Sequence, residues 1–267
     1  MALGKRARER SPATELPLIE RVNALPLQQF IEQYIPQEAL GSSISIPRTL
    51  KEAEDRGDSD NGTLNELPQH YSLDIHSSKS IPESDFDACF NLIKLTSSEA
   101  YKHSTVGWSR AKKRSEMKLL DMKYILLRRL QPKESNSEAG QEKGVSDVEG
   151  FLSFMVTYED EVEVIYCYEI HLSPSIQNKG LGKRLIGLYE AIGRNVGLEK
   201  AMLTVFRSNE MSRRFYEKLG YEEDEFSPRP KRLRNGVVKE PDYIILSKSL
   251  QREDSEHETT NRETKET

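Results

Sequence analysis

The chain has 267 residues, of which 31% are charged and 36% belong to the hydrophobic set, with a net charge of -5. Such a chain is too polar for one compact core over its whole length, so some of it is expected to stay unstructured, and the negative balance disfavours bulk nucleic-acid binding. No apolar run approaches the roughly 20 residues of a membrane span, and the two cysteines, Cys89 and Cys167, suit a reducing compartment and offer neither a metal site nor a disulfide framework.

Residues 1–16 read as a loose basic tail. No apolar region follows the basic residues, so a secretory signal is not expected. The cluster Lys5-Arg6-Ala7-Arg8-Glu9-Arg10 is either a nuclear-localisation patch or a solvated tail. Residues 17–35 carry the spacing of one or two amphipathic helices, interrupted at Pro26. Residues 36–83 are rich in Ser, Asp, Glu, Gly and Pro and are expected to be a disordered insertion. A helix is predicted from Ser84, as its cap, to Ser104, with Phe86, Phe90, Ile93 and Leu95 near one face.

Three strands are predicted next: Met122 to Leu127, Gly150 to Val156 and Glu161 to Leu172. The polar stretch 131–148 between the first two reads as a flexible loop. A helix from Leu181 to Val196 follows, then a buried strand from Ala201 to Phe206. Asn209 to Leu219 is a second helix, with Gly220 just past its end. Asp242 to Ser247 is a last strand, and residues 251–267 read as an acidic disordered tail. Strands followed by alternating helices and strands predict an α/β fold with a mixed sheet.

The segment Gln177-Asn178-Lys179-Gly180-Leu181-Gly182-Lys183 stands where a strand gives way to a helix. Glycine lets backbone approach an anion with no Cβ in the way. A helix's first turn presents unpaired N–H groups and the positive end of its dipole. A diphosphate therefore fits here, with Lys179 and Lys183 to neutralise it. The segment is neither a Walker loop nor a dinucleotide fingerprint. An ordinary loop before a surface helix is the plain alternative.

The pattern Gln-x-x-Gly-x-Gly resembles the acetyl-CoA pyrophosphate loop of the GCN5-related N-acetyltransferases. The element order over residues 84–250 resembles their domain. Within it, Val164-Ile165-Tyr166-Cys167-Tyr168-Glu169-Ile170-His171-Leu172, Met202 to Phe206 and Asn209 look like the NatD-type N-alpha-acetyltransferases. Tyr101, Gly107-Trp108 and Lys112-Lys113-Arg114 add to that likeness. The resemblance implies a mixed central sheet flanked by helices, with acetyl-CoA as cofactor. It implies transfer to the N-terminal amine of a basic tail, the Ser-Gly-Arg-Gly start of histone H4 and its two-A relative. It implies work in cytoplasm and nucleus, as a monomer, with no direct nucleic-acid or membrane partner; ribosome association is left open. The alternatives are a lysine or small-amine acetyltransferase of the same fold, or a non-catalytic module that binds acetyl-CoA or a histone tail.

The same resemblance assigns the residues. Ile170, His171 and Leu172 would hold the cofactor through their backbone, with Asn178, Lys179, Gly180, Leu181, Gly182, Lys183 and Asn209. Asn209 is equally a plain helix cap. Tyr101, Thr157, Tyr158, Glu159, Tyr168, Thr204 and Tyr243 would meet the substrate. Glu169 would take the amine proton through a water, with Tyr166 or Tyr168 fixing the amine. An α-amine with a pKa near 8 is about a tenth neutral at pH 7, so the base has little to do. A salt-bridged strand glutamate is the other reading of Glu169.

In a regular strand, Tyr166 and Tyr168 would face away from Glu169, so a bulge is expected here. Tyr216 is either a proton donor to the leaving thiolate or a core residue. Glu159-Asp160-Glu161 and Glu163 either attract a basic peptide or form a solvated hairpin. Two positions depart from the family's pattern: Val106 stands where an aromatic residue is expected, and Thr157 where an aspartate is.

Overall fold

The structure, a computed structural model, describes residues 16–41, 43–46, 68–130, 147–232 and 234–251. The expected basic tail through residue 15, the loop over 131–146 and the acidic tail from 252 lie outside the described residues.

Two short helices open the described chain, α1 (Leu18–Ala24) and α2 (Leu27–Tyr34), with Pro26 as the cap that separates them. They are followed by α3 (Gln37–Gly41), β1 (Ile44–Ile46) and β2 (Gln69–Ser77). In its described parts this corrects the reading of 36–83 as a disordered insertion, since β2 pairs with the next strand from His70 to Ser77; residues 47–67 lie outside the described residues. The signal was present: Tyr71, Leu73 and Ile75 alternate inward. Polar neighbours on the other face had lowered the average.

Helix α4 (Glu83–Lys102) runs close to its predicted bounds, but Pro82 rather than Ser84 occupies its cap, and Leu95 points to solvent while Leu92 is buried. Helix α5 (Arg110–Met117) was not predicted; it is almost wholly polar and buries only Lys113 and Met117. Strands β3 (Lys123–Leu130), β4 (Val148–Glu159) and β5 (Val162–Leu172) form a meander. A short 3-10 turn at Pro174–Ile176 leads to α6 (Leu181–Val196). Then come β6 (Lys200–Phe206), α7 (Glu210–Lys218), the short β7 (Glu222–Glu223), β8 (Lys231–Arg232) and β9 (Val238–Lys239), and finally β10 (Tyr243–Ser249).

The main sheet has the order β1-β2-β3-β4-β5-β6-β10-β7, and β8 pairs with β9 apart from it. All its pairs are antiparallel except β5 with β6. A parallel pair needs a crossover, and α6 supplies it. The core forms two clusters. In one, Phe86, Phe90 and Ile93 of α4 meet Tyr124, Leu126 and Phe151 of the sheet. In the other, Leu185, Tyr189 and Ile192 of α6, with Phe30 of α2, meet Leu152, Phe154, Ile165 and Leu203.

Two irregularities in β5 shape the site. Ser153 pairs with Glu169, while the next residue, Phe154, pairs with Cys167. Tyr168 is thus an extra residue, a β-bulge. Further, β5 pairs with β6 only from Val164↔Lys200 to Cys167↔Leu203. Beyond Cys167 the two strands part, while β6 stays paired with β10 as far as Phe206↔Tyr243.

Candidate active site

The parting of β5 and β6 opens a cavity of about 530 Å³. Tyr166, Tyr168, Glu169, Ile170 and His171 line it from β5, and Leu203 to Phe206 from β6. Tyr101, Lys113 and Glu116 close it from the helices, and Asn209, Tyr216 and Tyr243 from the far side. Because of the bulge, Tyr166, Tyr168 and Glu169 all reach one cavity, as the sequence required of an irregular strand. The two tyrosine rings lie 5.5 Å apart. The Tyr166 hydroxyl shares a 2.6 Å hydrogen bond with Thr204, and burial pushes its pKa up to about 12 against the opposing effect of that bond.

Glu169 is buried and ionised. Burial would raise its pKa, but the His171 hydrogen bond and charge and the Lys113 charge hold it at about 2. The Tyr101 hydroxyl and the Lys113 ammonium donate to Oε1 at 2.9 Å and 2.8 Å. His171 Nε2 lies 2.6 Å from Oε2. Lys113 also donates to Tyr101 at 2.8 Å and to Glu116, and sits 4.5 Å from the centre of the Tyr101 ring. Burial alone would lower the Lys113 pKa; the charge of Glu169, then Tyr101 and Glu116, keeps it above its ordinary value. A buried pair of this kind holds its geometry only because every remaining proton and lone pair finds a partner.

The cavity rim is pinned by Asp242. Its carboxylate accepts from the Thr105 backbone N–H and, at 3.1 Å, from the Thr105 hydroxyl. Gly107, with φ of 71°, turns the chain so that Trp108 stacks on Phe90 and leans on Tyr101. Val106, in the place of the expected aromatic residue, is exposed at this rim.

The glycine segment lies beyond the inner end of β5. The Gln177 side chain donates to the Leu172 carbonyl at 3.0 Å, folding the loop back on the strand. Asn178 and Gly180 both have left-handed backbone, with φ of 60° and 81°. Gly180 caps α6 without any side-chain bond, and the first intrahelical bond runs from Arg184 N–H to its carbonyl. The amides of Leu181, Gly182 and Lys183 therefore have no carbonyl one turn back. A Cβ on Gly182 would stand 3.5 Å from the Phe215 ring and 3.7 Å from Leu172, in the mouth of this cradle. These residues fit an anionic diphosphate, and the unpaired edge of β5 from Tyr168 to Leu172 fits the amide groups of an extended arm leading into the cavity.

Not all of the expected residues converge. Tyr101, Tyr166, Tyr168, Glu169, Thr204 and Tyr243 line one cavity, with Glu159 at its edge. Thr157 does not line it, and Tyr158 is exposed, its hydroxyl 3.2 Å from Glu20 of α1. Both are corrected as cavity residues. Along β4, period-two alternation turns Tyr158 from the face of Glu159, and Thr157 lies one step deeper against Val164. Asn209 caps α7, accepting from Ser212 N–H at 3.1 Å, and also lines the cavity. Tyr216 packs between Phe215 and Tyr221 while its edge reaches the cavity. Glu116 and the His171 side chain stand outside the residues the sequence singles out, and Lys113 enters there only within the basic run Lys112-Lys113-Arg114. The only clue was Met117, the one buried apolar anchor of α5, which places Lys113 one turn before it on the inner face.

A model of the acetyltransferase (GNAT) family matches residues 127–221. The chain is 28% identical over 177 residues to the N-alpha-acetyltransferase 40 of Saccharomyces cerevisiae, covering 57% of this chain and 56% of that protein. The chain thus spans about half the length of that curated relative. Among solved structures it is similar to the ribosomal-protein-S18-alanine N-acetyltransferase from Escherichia coli, at 19% identity and a TM-score of 0.42, over 67% of this chain and 94% of that one. It is also similar to the PaiA N-acetyltransferase from Thermoplasma acidophilum in complex with coenzyme A, at 18% identity and a TM-score of 0.44, over 67% and 99%. With its mixed sheet opening between β5 and β6, its cradle at the head of α6 and the family match across both, the chain has the fold of the GNAT acetyltransferases, a superfamily that uses acetyl-CoA.

Proposed function

We propose that this chain is an acetyl-CoA-dependent N-acetyltransferase acting on the N-terminal amine of a basic protein tail. The Ser-Gly-Arg-Gly start of histone H4 and its two-A relative is the substrate we favour, met in cytoplasm and nucleus. One observation carries the reading: the open edge of β5 leads from the α6 cradle into a cavity walled by Tyr101, Tyr166, Tyr168 and Tyr243. The similarity to a yeast N-alpha-acetyltransferase supports an α-amine over a lysine.

When bound, acetyl-CoA supplies an activated acyl group. The chain's own residues do the rest. The hydroxyls of Tyr166 and Tyr168 fix the amine. Glu169, ionised at neutral pH, takes its proton through a water. A carboxylate with a pKa of about 2 is a weak base, which suits an α-amine already partly neutral and suits a lysine amine near 10.4 poorly. Glu159 at the cavity edge complements the arginine and lysine of such a tail.

The test offers acetyl-CoA with a Ser-Gly-Arg-Gly-Lys peptide, its amine free or blocked. Transfer to the free peptide alone is the expected result. Equal labelling of both, on lysine, would replace this reading with a side-chain acetyltransferase. Tight binding without transfer would make the chain a binding module.

A further inference from the structure

Residues 229–239 carry the cations Arg229, Lys231, Arg232, Arg234 and Lys239 and no carboxylate; the first to follow is Glu240. Strands β8 and β9 fold this run into a ribbon that pairs with itself and stands outside the main sheet. Gly236, with φ of 83°, makes its turn, and Asn235 accepts there from Val237 N–H at 3.1 Å. All five cations are exposed. Among the described residues Arg229, Lys231, Arg232 and Arg234 enter no ion pair. Exposed Lys102 and Arg214, by contrast, meet carboxylates on their own helices.

The register of the ribbon adds to this. Lys231 stands directly opposite Lys239. Like charges so placed destabilise a strand pair, and a lone two-stranded ribbon has little stability to lose. Charge that only shields a strand edge from aggregation can be of either sign, and mixed signs would turn the repulsion into attraction. A run of one sign fits an external polyanion. Three of the five cations are arginines, whose forks take two phosphate oxygens at once. A basic protein tail does not account for the ribbon, because the ribbon repels it. A protein partner lacks an anchor here: residues 229–239 hold no aromatic ring, and Val237 and Val238 are each 55% exposed. The same lack of rings leaves no platform for stacking an unpaired base.

We propose that the β8–β9 ribbon is a docking surface for the phosphate backbone of duplex nucleic acid, held without regard to base sequence. The net charge of -5 disfavours nucleic acid for the chain as a whole, but charges beyond about 8 Å are largely screened at physiological salt. The acidic run Glu159-Asp160-Glu161 belongs to the β4–β5 hairpin. The nearer run Glu222 to Glu225 is partly neutralised by Lys200 and Arg207. Lys239 precedes the rim residue Asp242 by three positions, so the foot of the ribbon lies within about 11 Å of the cavity rim. Nucleic acid held there would lie beside the mouth of the cavity.

The test is a fluorescence-anisotropy titration of the full chain against labelled short DNA duplexes, RNA duplexes and poly-glutamate, over a range of salt concentrations. Two variants each remove four exposed cations: R229Q/K231Q/R232Q/R234Q in the ribbon and K94Q/K102Q/R214Q/K218Q on the helices. Wild type should bind duplex with a log–log salt slope of about -3 to -4, at about -0.9 for each phosphate neutralised. The ribbon variant should lose at least about ten-fold in affinity at low salt and most of that slope, while the helix variant stays within about two-fold of wild type. Equal binding of both duplexes supports contact with phosphate alone; preference for one supports it and names the source. No duplex binding by wild type overturns the proposal. So does equal loss in both variants, which would reflect net charge only, and so does binding that survives in the ribbon variant. Tighter binding of poly-glutamate than of either duplex would replace nucleic acid by an acidic protein. No transfer reaction enters these titrations, so their failure leaves the function proposed above standing.

Discussion

At the scale of single residues, Glu169 is both the proposed base and a pH-sensitive part of the fold. Its pKa in the folded chain is about 2, against an ordinary value near 4.5. A depressed carboxylate contributes stability that is complete above its unfolded pKa and lost as pH falls through the folded one, here between about pH 4.5 and 2. The loss should be about 3 kcal/mol, by denaturant titration at a series of pH values. Glu169→Gln should flatten that dependence. At neutral pH it should cost about 3 kcal/mol, because buried Lys113 keeps only the partly exposed Glu116 as counter-charge. An unaltered acid profile in the variant would show that another carboxylate carries the effect. The same substitution should lower kcat far more than it weakens peptide binding.

At the scale of elements, the head of α6 separates shape from strain. Gly182→Ala places a methyl group in the cradle at ordinary contact distance from Phe215 and Leu172. The free protein should keep its melting temperature, while coenzyme A affinity measured by calorimetry should fall at least about ten-fold, a change of about 1.4 kcal/mol. Equal affinity would mean that the diphosphate sits elsewhere. The β4–β5 hairpin carries strain of a different kind. Asp160 and Glu161, its two turn residues, both have positive φ, 45° and 69°. Hairpin turns of two residues favour glycine there, so Glu161→Gly should stabilise the chain by about 1 kcal/mol in chemical denaturation. A destabilised variant would mean that the Glu161 side chain makes up for its backbone.

Element by element, legibility followed local pattern. The α6 bounds could be read outright because a glycine stands at each end and an apolar stripe runs between them. Helix α5 could not, since its eight residues bury one lysine and one methionine and leave no stripe. Strand β2 was hidden because its solvent side is histidine, serine and aspartate, and a composition average weighs both sides alike.

At the scale of the whole molecule, α1 and α2 are part of the core rather than an appendage. Phe30 is fully buried, 6.4 Å from the Phe154 ring of the central sheet. Asn23 donates to the Val156 carbonyl, and Asn195 of α6 donates to the Tyr34 carbonyl, which ties these helices to both sheet and crossover. Phe30→Ala should therefore cost about 3–5 kcal/mol in a single cooperative unfolding transition. A separate early transition would mean that the two helices melt by themselves.

By itself the sequence determined the glycine segment, the succession of α4, β3, β4, β5, α6, β6, α7 and β10, and the identity of the tyrosines and Glu169. Each of these is written in local spacing: a glycine pair before an apolar stripe, or a run of β-branched and aromatic residues. Only the tertiary structure decided how they meet. The bulge at Tyr168 is the offset of one strand against another, and the parting of β5 from β6 is the end of a pairing more than thirty residues apart in the chain. The ring of partners around Glu169 draws on α4, α5 and β5 together. Long-range registers of that kind depend on how helices seat on a twisted sheet, and no window of neighbouring residues contains them.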